Sequence, residues 1–344
     1  MYLRFSLAAI LLAVAASTPS SLPYQTLYFD QRLDHITYNP TLPTWSQRYL
    51  LNDDFFGSKP LSPSCPGPIL LYTGNEGDIT AFWSGNGFMI DVLAPKFGAL
   101  LLFPEQRYYG DSIPTNDGRY EYLSTQQVLE DTVSLLSSVQ VQYNASSCPV
   151  VAFGGSYGGT LTTFLRVAYP HVVVGGLASS APVGYYDPAG WAEHGVDDFT
   201  FGDIVTKDYD EADPDCLAAI DKAREDIEGA DVQRLVEAFG LCDESGLGPH
   251  KSDLFLYGLE GLCQQDYPYA IGDNPAWPVD WTCKKLVDAF TNGKDMVKAA
   301  GEVTFMSMGM DNSTCFSTLV SSGVGGVVVV GGGGCVAMSR ASLF

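Results

Sequence analysis

Between Pro68 and Val183, short apolar runs alternate with longer amphipathic stretches. GPILLYTG (67–74), ALLLFPEQR (99–107), PVVAFGG (149–155) and VVVGGLASSAPV (172–183) are apolar with few interruptions and are closed by Gly, Pro or polar residues. Such runs are expected to be strands. GFMIDVLAPKFG is expected to be a helix ending near Pro95 to Gly98. LSTQQVLEDTVSLLSSVQVQY places Val128, Thr132, Leu135, Leu136 and Val139 at helical spacing, and Ser124 or Thr125 can cap its first turn. TLTTFLRVAYP is the helix after the third strand. Strands that are apolar throughout, each separated by a helix, predict an α/β fold with a parallel sheet covered on both faces.

The flanks differ in texture. Upstream, YFDQRLDH and RYLLNDDFF are possible edge strands, set off from the sheet by the loop KPLSPSCPGP. From about residue 184, AAIDKAREDIEGADVQRLVEAFG and WTCKKLVDAFTNGKDMVKAAGEV are charged amphipathic helices with no strand between them. This pattern suggests a helical insertion or lid. The last residues, SSGVGGVVVVGGGGCVAMSRASLF, join a valine run to a glycine run, with one possible strand at Val327 to Val330. Their low complexity marks the tail as foreign to the preceding fold. At the other end, Arg4 precedes an apolar run from Phe5 to Ala16 that is too short to cross a bilayer comfortably. Small residues at Ala13-Val14-Ala15 complete the pattern of a cleavable signal peptide. The expected organisation is a signal peptide over 1–16, an α/β core over 17–183, a helical insertion over 184–319 and a Val/Gly tail over 320–344.

Charge narrows the partners. The 344 residues carry 18 Lys and Arg against 40 Asp and Glu, a formal net charge of −22. A surface that acidic repels phosphate backbones and anionic lipid, which argues against nucleic-acid and membrane-surface binding. It fits a soluble protein of a secretory or acidic compartment, free of the membrane once the signal is cleaved. Eight cysteines are widely spaced and form no C-x-x-C, so disulfides are expected rather than zinc or redox sites. The sequons Asn144-Ala-Ser and Asn312-Ser-Thr are candidate glycosylation sites in the same compartment. No metal-ligand cluster or nucleotide-binding glycine pattern is present, and no cofactor is implied.

The chemistry centres on Gly154-Gly155-Ser156-Tyr157-Gly158, a G-x-S-x-G motif between an expected strand and an expected helix. A sharp turn at that junction holds the serine hydroxyl clear of the sheet, and the glycines let strand and helix approach without Cβ clashes. The backbone N–H of Tyr157 is placed to hold a developing oxyanion. A second donor is expected from the loop LLYTGNEGD, at Gly74 or Asn75. A serine hydroxyl also needs a base. His35 precedes the sheet, His171 follows the serine too closely, and His194 and His250 lie in or beside the helical segment, so none is well placed to serve.

FDQRLDH, ILLYTGNEGDI, PEQRYYGDS, LSTQQVLEDTV, FGGSYGGTL, YPHVVVGGLASSAPV and DYPYAIGDNPAWPV occur in that order. Together they resemble the serine peptidases that include lysosomal Pro-X carboxypeptidase, dipeptidyl peptidase II and thymus-specific serine protease. The resemblance runs from about Tyr24 to Leu319. It implies an α/β-hydrolase fold with a helical insertion, and a secreted or lysosomal/vacuolar exopeptidase that cuts peptides near proline through an acyl-enzyme. Ser156 matches the family's nucleophile, Tyr157 and Gly74-Asn75 its oxyanion donors. Glu76, Glu105 and Arg107 fall in motifs that line its active-site region. Glu76 or Glu105 could meet an amino terminus and Arg107 a carboxylate, or Glu105 and Arg107 could form a structural ion pair beneath the site. The family carries its catalytic aspartate and histidine after the helical insertion, whereas this chain leaves the family pattern near residue 320. Both are therefore expected to be missing, along with some disulfide partners of Cys216, Cys242, Cys283 or Cys315. A second reading takes the chain as a non-catalytic binding or decoy protein. An esterase or lipase on the same fold would share the serine turn but not the DYPYA and PEQRYYG segments.

Overall fold

A computed structural model describes residues 20–308 apart from positions 38, 40, 116, 118, 119, 187, 198, 245, 246, 248, 249, 272 and 273, and beyond them positions 315, 317–320, 327–331 and 334–337. The candidate signal segment 1–16 and the sequon residue Asn312 lie outside the described residues.

Two antiparallel strands open the fold. β1 (Gln25–Arg32) lies against β2 (Thr44–Asn52), from Gln25 opposite Leu51 to Arg32 opposite Thr44. The alternating region then supplies β3 (Ile69–Tyr72), α1 (Ile79–Ser84), α2 (Ala94–Phe97), β4 (Leu100–Pro104), α3 (Thr125–Gln142), β5 (Val150–Gly155), α4 (Tyr157–Ala168) and β6 (Gly175–Ser179). They join one six-stranded sheet in the order β1-β2-β4-β3-β5-β6. The pairs β3–β4, β3–β5 and β5–β6 are parallel, and β2–β4 is antiparallel. With a serine turn at the end of β5, this is the α/β-hydrolase sheet.

The apolar runs are explained by what lies on each side. Leu51, Leu71 and Leu102 point into one core with Leu136 of α3 and Leu161 of α4. Their neighbours Leu50, Leu70 and Leu101 point into the other, with Trp83, Ile90 and Phe103. Successive strand residues face opposite ways, so strands covered on both sides need apolar groups at every position.

Three expectations change. β2 is not an edge strand: it sits between β1 and β4, and its last six residues are buried. Covering on both faces also stops short of β6, which pairs on one side with β5 and leaves Leu177 half exposed. The helix expected over 87–98 is divided into a π-helical stretch, Phe88–Leu93, and the short α2. Ala94 N–H reaches back to Met89 O, and Pro95 has no N–H with which to continue an α-helical ladder. Gly98, at φ +62°, closes the segment. For α3 the cap is Ser124, whose side chain accepts from Gln127 N at 3.3 Å.

Beyond the sheet come α5 (Pro188–Trp191), α6 (Thr200–Ala212), α7 (Cys216–Gly229), α8 (Val232–Phe239), α9 (Asp253–Gln264), α10 (Pro278–Thr291) and α11 (Met296–Ser307). From α6 onward these helices bury a core of their own, built around Tyr209, Leu235, Phe239, Phe255 and Leu286. Three further strands, β7 (Ser317–Val320), β8 (Val327–Gly331) and β9 (Gly334–Ala337), form a separate antiparallel sheet. Among the described residues, no helix is long and apolar enough to cross a membrane.

The disulfides correct another expectation. Cys216 of α7 bonds Cys283 of α10, and Cys242 bonds Cys315, so these four cysteines find partners within the chain. The packing of α7 on α10 brings the Cys216 and Cys283 Cα atoms to 5.1 Å, within disulfide reach. Cys65–Cys148 ties the loop before β3 to the loop before β5. Cys263 is free, with its Sγ 2.9 Å from Asp208 Oδ2; burial and then that carboxylate push the thiol up to about 12.

Candidate active site

β5 delivers its chain to the top of the sheet, where Ser156 takes φ +54° and ψ −125°. A non-glycine residue enters that region only when its surroundings enforce it. Ser156 N donates to Ser179 O at the end of β6 (3.0 Å), while Ser156 O accepts from Thr160 N (3.1 Å) and starts α4. The turn is therefore pinned on both sides while the serine itself stays exposed. Tyr157 is the first residue of α4, so its N–H lies in the turn where a helix has no internal acceptors to offer. Its ring is buried, its hydroxyl shares a 3.2 Å hydrogen bond with Thr125 Oγ1, and burial pushes it up to about 12.

Two of the motif glycines are obligatory. A Cβ on Gly154 would lie 2.1 Å from Gly158 O, and one on Gly158 would lie 2.5 Å from Gly74 O. The second contact presses the loop after β3 against the first turn of α4. Thr73 Oγ1 donates to Gly158 O (2.7 Å), and Asn75 Nδ2 donates to Gly155 O (2.8 Å). Tyr72 OH in turn donates to Asn75 Oδ1. Gly74 adopts φ +78°, where a Cβ would meet Pro104 O at 2.9 Å. The candidate oxyanion residues Gly74, Asn75 and Tyr157 thus meet at the serine turn, held by close backbone approach and by the side-chain hydrogen bonds of Thr73, Asn75 and Tyr72.

The other sequence candidates occupy two levels. Glu76 is half-buried beside this loop, and burial raises its carboxyl above the ordinary carboxylate range. Glu105 and Arg107 lie below it, wholly buried. Glu105 accepts from Arg48 Nε (3.0 Å), Ile79 N (3.0 Å), Asp111 N (3.0 Å) and Ser112 Oγ (2.8 Å). Arg48 also pairs with Asp78 and Asp111. Arg107 forks onto Asp131, with Nε to Oδ2 at 2.7 Å and Nη2 to Oδ1 at 2.6 Å, and donates to Leu33 O and Tyr122 O. The ion pairs therefore run from Glu105 to Arg48 and from Arg107 to Asp131, not between Glu105 and Arg107. Through Ile79 N, Glu105 fixes the start of α1 and so the far end of the loop that carries Asn75 and Glu76.

The partners Arg48 and Asp131 were missed as functional residues, although both stand in quoted segments, RYLLNDDFF and LSTQQVLEDTV. Their pairing spans 57 and 24 residues, which no local pattern reports. His35 is also placed by this network, with its Nε2 2.9 Å from Asp131 Oδ1. His171, His194 and His250 are exposed. Among the described residues, no hydrogen bond joins a histidine to Ser156. Of the two sequons, Asn144 is exposed at φ +52°, just after α3.

Comparison with known proteins adds a family. The model of the family described as serine carboxypeptidase S28 matches residues 31–322. Lysosomal Pro-X carboxypeptidase from Homo sapiens is 37% identical over 295 residues, covering 78% of this chain and 56% of that protein. The protein of the same name from Mus musculus is 36% identical over 283 residues, covering 76% and 54%. Thymus-specific serine protease from Homo sapiens is 31% identical over 235 residues, covering 63% and 41%. The chain spans about half the length of the curated relatives it matches.

Proposed function

This chain belongs to the serine carboxypeptidase S28 family, and from that membership we propose that it is a serine-type exopeptidase of the Pro-X carboxypeptidase or dipeptidyl-peptidase type, with Ser156 as nucleophile. The observation that carries the reading is the exposed Ser156, held at positive φ between β5 and α4 with the Gly74-Asn75 loop bonded across its turn. Attack by Oγ on a peptide carbonyl would place the developing oxyanion at the Tyr157 N–H and the adjacent loop, where fixed dipoles need no reorganisation. The substrate is a peptide, and Glu76 is the carboxylate offered to it at the surface. Glu105 and Arg107 act from below, as supports for the loop and for the base of α3.

The helices from α6 onward are proposed to cap the cleft and limit it to chain ends. Two relatives are named lysosomal, which supports a lumenal compartment, and Asn144 is proposed to carry a glycan there.

A second reading, in which this chain binds peptides without turning them over, takes its support from the described residues, among which no histidine is hydrogen-bonded to Ser156. A fluorophosphonate probe separates the two. Labelling of the chain but not of Ser156→Ala supports the nucleophile; peptide binding without labelling supports the non-catalytic reading; equal labelling of both proteins rejects Ser156.

A further inference from the structure

The segment DYPYAIGDNPAWPV joins α9 to α10 and brings three large rings to the surface. Tyr267 is 43%, Tyr269 37% and Trp277 49% exposed. Single exposed apolar residues are ordinary, but three aromatic rings on one loop make a patch that asks for a partner.

The loop that carries them is firmly built. Asp266 Oδ1 accepts from Val279 N in the first turn of α10 at 3.0 Å, and Asn274 Nδ2 donates to Gln265 Oε1 at 2.9 Å. Ile271 N donates to Asn274 O at 3.1 Å, and Asn274 N donates back to Ile271 O at 3.0 Å. Trp277 N donates to Tyr267 O at 2.8 Å, which joins the two ends of the loop. Tyr267 and Tyr269 flank Pro268 and stack, with ring centroids 5.5 Å apart and planes inclined by 24°. Trp277 stands at φ +54° and ψ +62°. A bulky residue is rare in that region, and one that precedes a proline is ordinarily extended. Capping of α10 does not require it, since the Trp277 side chain makes no capping bond. The conformation secures the bond to Tyr267 and keeps a half-exposed indole at the end of the loop where the tyrosine pair begins.

Each ring also ends in an unspent polar group. Among the described residues, no hydrogen bond is made by Tyr267 OH, Tyr269 OH or Trp277 Nε1. Flat rings tipped with donors suit one class of guest. A polyproline II segment forms no internal hydrogen bonds, and its prolines offer carbonyls without N–H groups. Its ring faces pack on aromatic side chains while phenol and indole donors answer the carbonyls. A sugar would need acceptors beside the rings for its hydroxyls. Here Asp266 is spent on Val279, and Asn274 is buried and bonded to Gln265. Residues 264–280 include Asp but no Lys or Arg, so an acidic guest is disfavoured.

We propose that Tyr267, Tyr269 and Trp277 form a docking surface for an extended, proline-bearing peptide segment. The segment is held by its own rings and carbonyls and needs neither a free end nor Ser156, so the surface works whether or not this chain turns peptides over.

Titration calorimetry of the 344-residue chain tests it with N-acetyl-hexaproline amide, whose blocked ends give an exopeptidase cleft nothing to hold. A blocked Gly-Ser hexapeptide and chitohexaose serve as comparisons. The proline peptide is expected to bind, and the other two to bind at least tenfold more weakly. Trp277→Ala should weaken the proline peptide roughly tenfold or more, as loss of an aromatic anchor does. Trp277→Gly suits the positive φ and carries the same expectation if Trp277→Ala unfolds by circular dichroism. Tyr267→Phe/Tyr269→Phe keeps the rings, removes two donors and should weaken binding about three- to tenfold. Excess proline peptide should leave fluorophosphonate labelling of Ser156 unchanged. The inference is overturned if the proline peptide does not bind, if the Gly-Ser peptide or chitohexaose binds as tightly, or if the folded Trp277 variant binds like the parent. A proline peptide that blocks labelling sits at the serine turn and overturns it as well.

Discussion

Replacing Asp131 with asparagine removes the counter-charge from a guanidinium that has no access to water. Arg107 is wholly buried, and two of its nitrogens donate to Asp131, at 2.7 and 2.6 Å. Asparagine keeps one acceptor oxygen but no charge, so one of those bonds survives while Arg107⁺ is left without its anion. Breaking a buried ion pair from one side costs about 3–5 kcal/mol, and the retained oxygen places Asp131→Asn near the lower end. That is a large fraction of the roughly 5–15 kcal/mol that holds a typical protein folded. Urea unfolding should therefore shift to a lower midpoint with an unchanged slope. Trp45, whose ring lies 5.5 Å from the Arg107 guanidinium, provides a local fluorescence reporter, and circular dichroism follows the whole chain. The double variant Arg107→Met/Asp131→Leu deletes more hydrogen bonds but leaves no stranded charge, and it should be no less stable than Asp131→Asn. A loss below about 1 kcal/mol in Asp131→Asn, the range of an exposed pair, or a double variant whose loss equals the sum of the single ones, would refute the reasoning.

Further outcomes follow from the same geometry. Gly158→Ala puts a methyl 2.5 Å from Gly74 O and should abolish probe labelling of Ser156, whereas Gly155→Ala meets nothing within 4 Å and should leave labelling intact. Loss of the Cys216–Cys283 bond, which closes 67 residues, should lower stability by about 4 kcal/mol on the loop-entropy model. Urea unfolding of Cys216→Ala/Cys283→Ala measures that loss. Glu76→Gln should raise Tm at pH 7 and leave it unchanged below pH 4.5, the ordinary Glu value. Burial raises the carboxyl in the folded state, so the penalty for charging it is absent in acid and grows as pH rises through the raised value. A Tm that falls in Glu76→Gln at pH 7 would instead show that the charge is stabilising.

The serine turn could be read from ten residues because its requirements are local. Val150 to Phe153 form a strand, Gly154 and Gly158 remove side chains where backbones touch, and a helix starts at Tyr157. The runs that became β3, β4 and β5 are legible for the same reason, since each must present apolar groups to two cores. The interior position of β2 was not legible. RYLLNDDFF carries the same pattern at an edge or beside β4, and the pairing of Tyr49 to Asn52 with Pro104 to Leu101 decides between them.

Local periodicity and turn chemistry therefore determined which segments become strands and helices, and which serine is lifted out of the sheet. They act over a few residues, through backbone sterics and the side chains next in line. Tertiary structure alone decided that Glu105 meets Arg48, that Arg107 meets Asp131, and that Cys216 meets Cys283. Those choices depend on how far apart the folded chain carries each charge and sulfur. Distance in space between remote residues has no local period from which it could be read.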